Sequence, residues 1–318
     1  MKRELLPVLM LAVLGWFEAG VVWLAQYSGY PLWPYVGVNG FPAFYHVWKQ
    51  GMWGVLGPSL VLGGAGAVLL LWMGASQVPR WARWLGCGLQ LAAMTWAGLG
   101  LLPMERQAAA LGGRGDTGAY QQLLSANWML IALVTAYAAL ALWMLVRSLW
   151  KGPVERGQMI LLVSSALGLY GAGNMALVQF LCYRLWPAVG RSESFAYHMA
   201  WWHSIWGVLF VPAGVVVLGS LALIWIRPEG ITRRDGWTGF WLQTAIYVLT
   251  GVWFAPLMTR LATPDGGLSL PLYHLMMETH WVRFALVMAY GVVCCSLLVR
   301  SASRGGGFGE GQKAYLRG

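Results

Sequence analysis

The sequence predicts an all-α integral membrane protein whose eight transmembrane helices form two parallel four-helix repeats. Three observations predict it. Of the 318 residues 58% are hydrophobic and only 10% charged, a balance that soluble domains of this length do not show. The apolar residues fall in eight continuous runs, each near the ~20 residues a tilted helix needs to cross hydrocarbon. Finally, the chain matches itself when shifted by 153 residues.

Taken in order, the elements begin with a charged lead, Met1-Lys2-Arg3-Glu4, and an apolar run from Leu5 to Ala25. The lead imitates a secretory signal, but the run is long enough to span and no small-residue cleavage site precedes the aromatic stretch at Trp23 to Tyr27. A retained first helix is expected. Spans are expected at 5–27, 45–73, 82–103, 121–148, 159–182, 198–226, 238–258 and 275–299. Because the runs are continuous and do not alternate every second residue, a closed barrel is excluded.

The loops set the orientation. Lys2, Arg3, Arg80, Arg83, Arg147, Lys151, Arg156, Arg227, Arg233, Arg234, Arg300, Arg304, Lys313 and Arg317 all fall on one side of an even-numbered topology. The opposite loops, near 28–44, 104–120, 183–197 and 259–274, are poorer in Lys and Arg and carry Glu105, Asp116, Glu193 and Asp265. The positive-inside rule then puts both termini in the cytoplasm of a multi-pass inner (plasma) membrane protein. It also accounts for the net charge of +10 without nucleic acid as a partner. The glycine-rich stretch 305–318 reads as a flexible cytoplasmic tail. Cys87, Cys182, Cys294 and Cys295 form no CxxC pair and read as buried, inert thiols.

The self-match is dense in rare residues. The offset of 153 aligns Gln26 with Gln179, Tyr30 with Tyr183, Trp33 with Trp186, Pro34 with Pro187, Trp48 with Trp201, Gln90 with Gln243, Pro103 with Pro256 and Tyr137 with Tyr290. A tandem duplication follows, residues 1–150 forming one four-helix unit and 151–304 the other. An even number of spans per unit keeps both copies in the same orientation.

Each unit runs from an apolar helix through a Leu-Trp-Pro-x-Val-Gly segment and a Tyr-His followed by tryptophans to a last helix opening with Asn-Trp or His-Trp. That order resembles the small four-helix membrane proteins of the anthrone oxygenase-like family, a domain of unknown function. What the resemblance implies is oxygenation of polycyclic aromatic compounds without an obvious cofactor for some members; most have no assigned activity.

Candidate site residues come from comparing the copies. His198 opens the second helix of the second unit and His280 its fourth, so the two imidazoles could ligate a b-type haem iron or hold a metal with Glu278 nearby. His203 is rotated about 140° from His198 and would face elsewhere, while His274 and Glu278, four apart, could share a face. The first unit keeps Tyr45 and His46 but has Gln50 for His203, Asn127 for His280 and Ser125 for Glu278. Chemistry is therefore expected in the second half. Tyr197, Trp201 and Gln179 complete the candidate set, with Arg283 expected to pair with Glu278 or Glu193. Gln26, Gln90, Gln179 and Gln243 are expected to hydrogen-bond neighbouring helices, and Glu18 reads as the only acid well inside a span.

Interfacial anchoring explains many such histidines and tryptophans equally well. No phosphate loop, His-Glu-x-x-His or haem-attachment motif occurs in the sequence. Three readings stay open: a redox or oxygenase-type protein binding haem, a quinone or an aromatic small molecule; a non-catalytic subunit contacting other membrane subunits and lipid; and a transporter built from parallel repeats.

Overall fold

The computed structural model describes residues 5–73, 76–150, 153–263 and 267–304, the side chains of 303 and 304 excepted. The glycine-rich stretch 305–318 lies outside the described residues. Among the described residues eight helices are long and apolar enough to cross a membrane: α1 Leu5–Tyr35, α2 Phe41–Met73, α3 Arg80–Ala110, α4 Gly118–Leu149, α5 Arg156–Ala188, α6 Ser194–Ala222, α7 Arg233–Leu261 and α8 Leu270–Ala302. In hydrocarbon each backbone amide must find its partner within its own segment, which leaves long apolar runs only the helix.

Most helices outrun the apolar stretches that announce them, because aromatic and polar ends continue the backbone ladder. The overrun of α3 carries charged residues with it, continuing through Glu105 and Arg106 to Ala110 where a loop is expected from 104 onward. Local chemistry sets the ends. Tight 3₁₀ segments carrying Pro34 and Pro187, Tyr30–Tyr35 and Trp186–Ala188, finish α1 and α5. Gly112 and Gly113, with φ of 74° and 63°, reverse the chain between α3 and α4 in a region that side chains with a Cβ rarely enter. Thr117 caps α4 by accepting from the Tyr120 amide at 3.3 Å, and Thr232 with Asp235 forms a capping box on α7.

Four π-helical turns interrupt the spans, at Trp96–Leu101, Val178–Cys182, Trp206–Phe210 and Thr250–Phe254. Three of them run straight into a helical segment carrying Pro103, Pro212 or Pro256 near its start, where the wider turn accommodates the missing amide. The turn at Val178–Cys182 has no such proline, and it holds Gln179.

The helices α1 to α4 close one bundle, α1 packing on α2 and α4 and α3 completing the ring; α5 to α8 close a second in the same order. The bundles join along α1 and α5, the two most enclosed spans, 61% and 78% buried over their apolar windows against 17% for α7. Helices in lipid gain little from hydrophobic exclusion, so close backbone approach has to supply the attraction. The seam supplies it at two glycines: a Cβ on Gly20 would collide with the Tyr170 carbonyl, and one on Gly173 with the Phe17 carbonyl. An unforeseen two-stranded ribbon, β1 Ala262–Thr263 and β2 Gly267–Leu268, sits between α7 and α8 and packs on α6.

Candidate functional site

Buried polar groups are the first place to look for chemistry in so apolar a chain. In the first bundle Asn127 Nδ2 donates to Gln26 Oε1 at 2.7 Å, and Gln26 reaches the Leu124 carbonyl at 3.5 Å. In the second bundle Gln179 and His280 meet in the same way. Both pairs are separated by 101 residues, and each member of one pair lies 153 residues from its counterpart.

What the second bundle adds is Arg283, where the first has Leu130. Arg283 is 5% exposed. Its Nη2 donates to Tyr183 Oη at 2.9 Å and to His280 Nε2 at 2.6 Å, and its guanidinium lies 4.3 Å from the Phe254 ring centroid. Because an arginine cannot accept, His280 Nε2 is the acceptor and its proton sits on Nδ1, facing Gln179. The expected pairing of Arg283 with Glu278 or Glu193 is corrected: Glu278 is exposed, Glu193 accepts from Ser192 at 2.8 Å, and Arg283 forms no ion pair among the described residues. A cation with no acid in reach has been steadied by a hydroxyl, an imidazole and an aromatic face.

Of the other sequence candidates, Trp201 and Tyr197 are fully buried, Trp201 packed on Tyr183 and Trp186 and Tyr197 on Phe44. His198 lies against the far partner of that cluster, its ring 5.1 Å from Trp186 and its Nδ1 buried without a partner. His280 is reached through Tyr183, 4.8 Å away, so aromatic rings stand between the two imidazoles. Both nitrogens of His280 are engaged, and a haem iron bound there would have to displace Gln179 or Arg283. No group of three or more His, Cys, Asp or Glu side chains gathers among the described residues. His203 is exposed and bonds the Met199 carbonyl at 2.7 Å; His46 is exposed beside Gln50 at 3.0 Å; His274 is exposed as well.

Three features escaped the sequence reading. Glu105, assigned to a loop, is fully buried and accepts from the indoles of Trp48 and, at 3.3 Å, Trp53. With Glu18, which accepts twice from Gln90 at 3.1 Å, it gives the first bundle two interior carboxylates, where the second has Met258 and Gly171. Gln243 forms no hydrogen bond among the described residues, against the expectation that all four span glutamines would bridge helices.

The third feature is a cleft of about 750 Å³ between the bundles, walled by Phe17, Val55, Phe180, Phe284 and Met288, with Gln50, Arg184 and Tyr273 toward the helix ends distant from the termini. The Arg184 guanidinium lies 5.7 Å from the Phe180 ring centroid. Phe180 and Phe284 are chain neighbours of Gln179 and Arg283, so this wall stands on the same two helices as the buried polar network. The signal that could have disclosed the cleft is the spacing of Gly51 and Gly54, one helical turn apart on α2.

Comparison with protein-family models, with curated proteins and with solved structures yields no match.

Proposed function

We propose that this chain binds a hydrophobic small molecule of the quinone or polycyclic aromatic kind in the cleft between its bundles, in a redox or oxygenase-type role. The observation that carries this reading is the cleft itself: about 750 Å³ of space with three phenylalanine rings and a polar end. That volume falls within the range of roughly 300–1,000 Å³ typical of small-molecule sites, which are mostly apolar with a few placed polar groups. The rings suit a flat conjugated ligand, and Arg184 and Gln50 are donors suited to its carbonyl or phenol oxygens.

We infer further that the bundles are parallel copies of one unit, related by an axis along the membrane normal, with both termini cytoplasmic in an inner membrane. Supporting this are the equivalent pairs Gln26–Asn127 and Gln179–His280 and the reciprocal glycine contacts of α1 and α5. The second reading, a subunit of a larger complex, is favoured by α7, whose exposed Trp237, Trp241 and Val252 form a broad apolar face.

The test titrates anthraquinone against the protein in lipid nanodiscs, following tryptophan quenching. Gly54→Phe places a ring at the cleft wall, where a Cβ meets no atom within 4 Å, so folding is expected to survive. The variant should lose binding, and Arg184→Ala should weaken it about tenfold. Undiminished affinity in Gly54→Phe would place the ligand elsewhere; co-purifying subunits and no binding would favour the second reading.

A further inference from the structure

The interior carboxylate of the first bundle has an empty counterpart in the second. Glu18 accepts from Gln90 through both oxygens at 3.1 Å, and Gln90 also reaches the Leu60 carbonyl at 3.3 Å. Room for the pair comes from Gly63, where a Cβ would fall 2.9 Å from Glu18 Oε1. The positions 153 residues on are Gly171, Gln243 and Val216. The glutamine is kept and the acid is gone.

A Cβ at Gly171 would meet no atom within 4 Å, and Gly171 borders a crevice of about 60 Å³. Gly171, Gln243, Val216 and Arg283 line it, and Leu167 and Ile246 extend the lining between α5 and α7. Two unused donors border it. Gln243 is 5% exposed and its side chain makes no hydrogen bond among the described residues, where the buried Arg283 Nε also finds no acceptor. A guanidinium in hydrocarbon without a counter-charge is costly, and a carboxylate is the acceptor its planar fork matches best.

We propose that this crevice binds the carboxylate of an unesterified fatty acid, held by Arg283 and Gln243, with the acyl chain running outward between α5, α6 and α7. The ligand supplies from outside the carboxyl group that Glu18 supplies from within the chain. Size selects the aliphatic acid: a cavity of about 150 Å³ is what admits a benzene ring, so at about 60 Å³ the crevice takes a carboxyl group and a slender chain and leaves fused rings to the cleft. The lining is apolar apart from the tyrosine, threonine, glutamine and arginine at Tyr170, Tyr247, Thr250, Gln243 and Arg283. The Tyr247 and Thr250 hydroxyls already donate to the Phe210 and Ile246 carbonyls at 3.0 and 2.6 Å, which leaves Arg283 and Gln243, with the Tyr170 hydroxyl beside them, to recognise the head group.

The test is equilibrium binding of labelled oleate to the full chain in nanodiscs of zwitterionic lipid, with methyl oleate as competitor. Saturable binding that the ester fails to displace is expected. Gly171→Leu, which blocks the crevice, should abolish it and Gln243→Leu should weaken it about tenfold, while Gly54→Phe in the cleft leaves it unchanged. Absence of saturable binding, equal competition by the ester, or full affinity in both Gly171→Leu and Gln243→Leu would overturn the proposal. None of these results bears on the anthraquinone titration, so the two sites stand or fall separately.

Discussion

Phe44 and Tyr197 stand 153 residues apart in the chain and touch each other, ring edge to ring face, with centroids 6.0 Å apart. A contact of this kind is what the proposed axis between parallel copies would produce. The reciprocal approach of Gly20 to Tyr170 and of Gly173 to Phe17 lies along the same seam. Contacts of this kind constrain both copies at once.

The seam should respond to single methyl groups. Gly20→Ala and Gly173→Ala each drive a Cβ into a backbone carbonyl of the facing helix, and overpacking of this kind costs about 1–3 kcal/mol. Both should lower the thermal midpoint in detergent, followed by circular dichroism, whereas Gly171→Ala on the same helix should not. Equal midpoints for Gly20→Ala and Gly171→Ala would contradict a tight seam.

Glu105 holds two indole N–H groups, and removing it strands both. Glu105→Ala should cost roughly 1–3 kcal/mol for each donor left unsatisfied, read as a lower unfolding midpoint. Glu105→Gln keeps one acceptor oxygen and should recover part of the loss. A Gln variant no better than Ala would mean that packing, and not the hydrogen bonds to Trp48 and Trp53, anchors this carboxylate.

His280→Asn copies the arrangement of the first bundle, where Asn127 bonds Gln26, and should fold with the helix pairing intact. His280→Ala should disturb ligand binding or turnover far more than Asn127→Ala, since only His280 also steadies Arg283. Matching effects of the two alanines would remove the reason for seeking chemistry in the second half.

The charge distribution predicts sidedness. With the chain otherwise unchanged, a cysteine replacing exposed Ser192 should react with a membrane-impermeant maleimide on intact cells, and one replacing exposed Glu229 should not. The native thiols are buried or half-buried and give little background. The reverse labelling pattern would invert the orientation.

Much of the fold was legible because hydrocarbon leaves little choice: a run such as Leu5 to Ala25 must be a helix and must cross. The ends were less legible, because ladder bonds continue where apolarity stops; Glu105-Arg106-Gln107 reads as a loop by polarity and is helix by hydrogen bonding. Of the candidate site, Gln179, His280 and Arg283 were singled out as types that do not belong in lipid, and they do come together. The partner of Arg283 was not legible, since Tyr183 lies 100 residues away on α5 and a hydroxyl replaced the expected carboxylate. The cleft and the crevice escaped for a related reason: both are made of space, left at Gly54 and Gly171, and a glycine does not announce which neighbour has stayed away.

The backbone contact at Gly20 and Gly173 also decides how the molecule can move. Helices that interlock main chain to main chain have no flexible side chains at the point of contact to take up sliding or separation, so α1 and α5 act as a stationary spine. The cleft is bounded by that spine on one side and by α2 and α8 on the other. Gly51 holds α2 against the Phe180 carbonyl of α5 in the same way, so a guest that needed a wider cleft would have to displace α8, and substitutions that stiffen α8 should slow its arrival and departure together while leaving the equilibrium almost untouched.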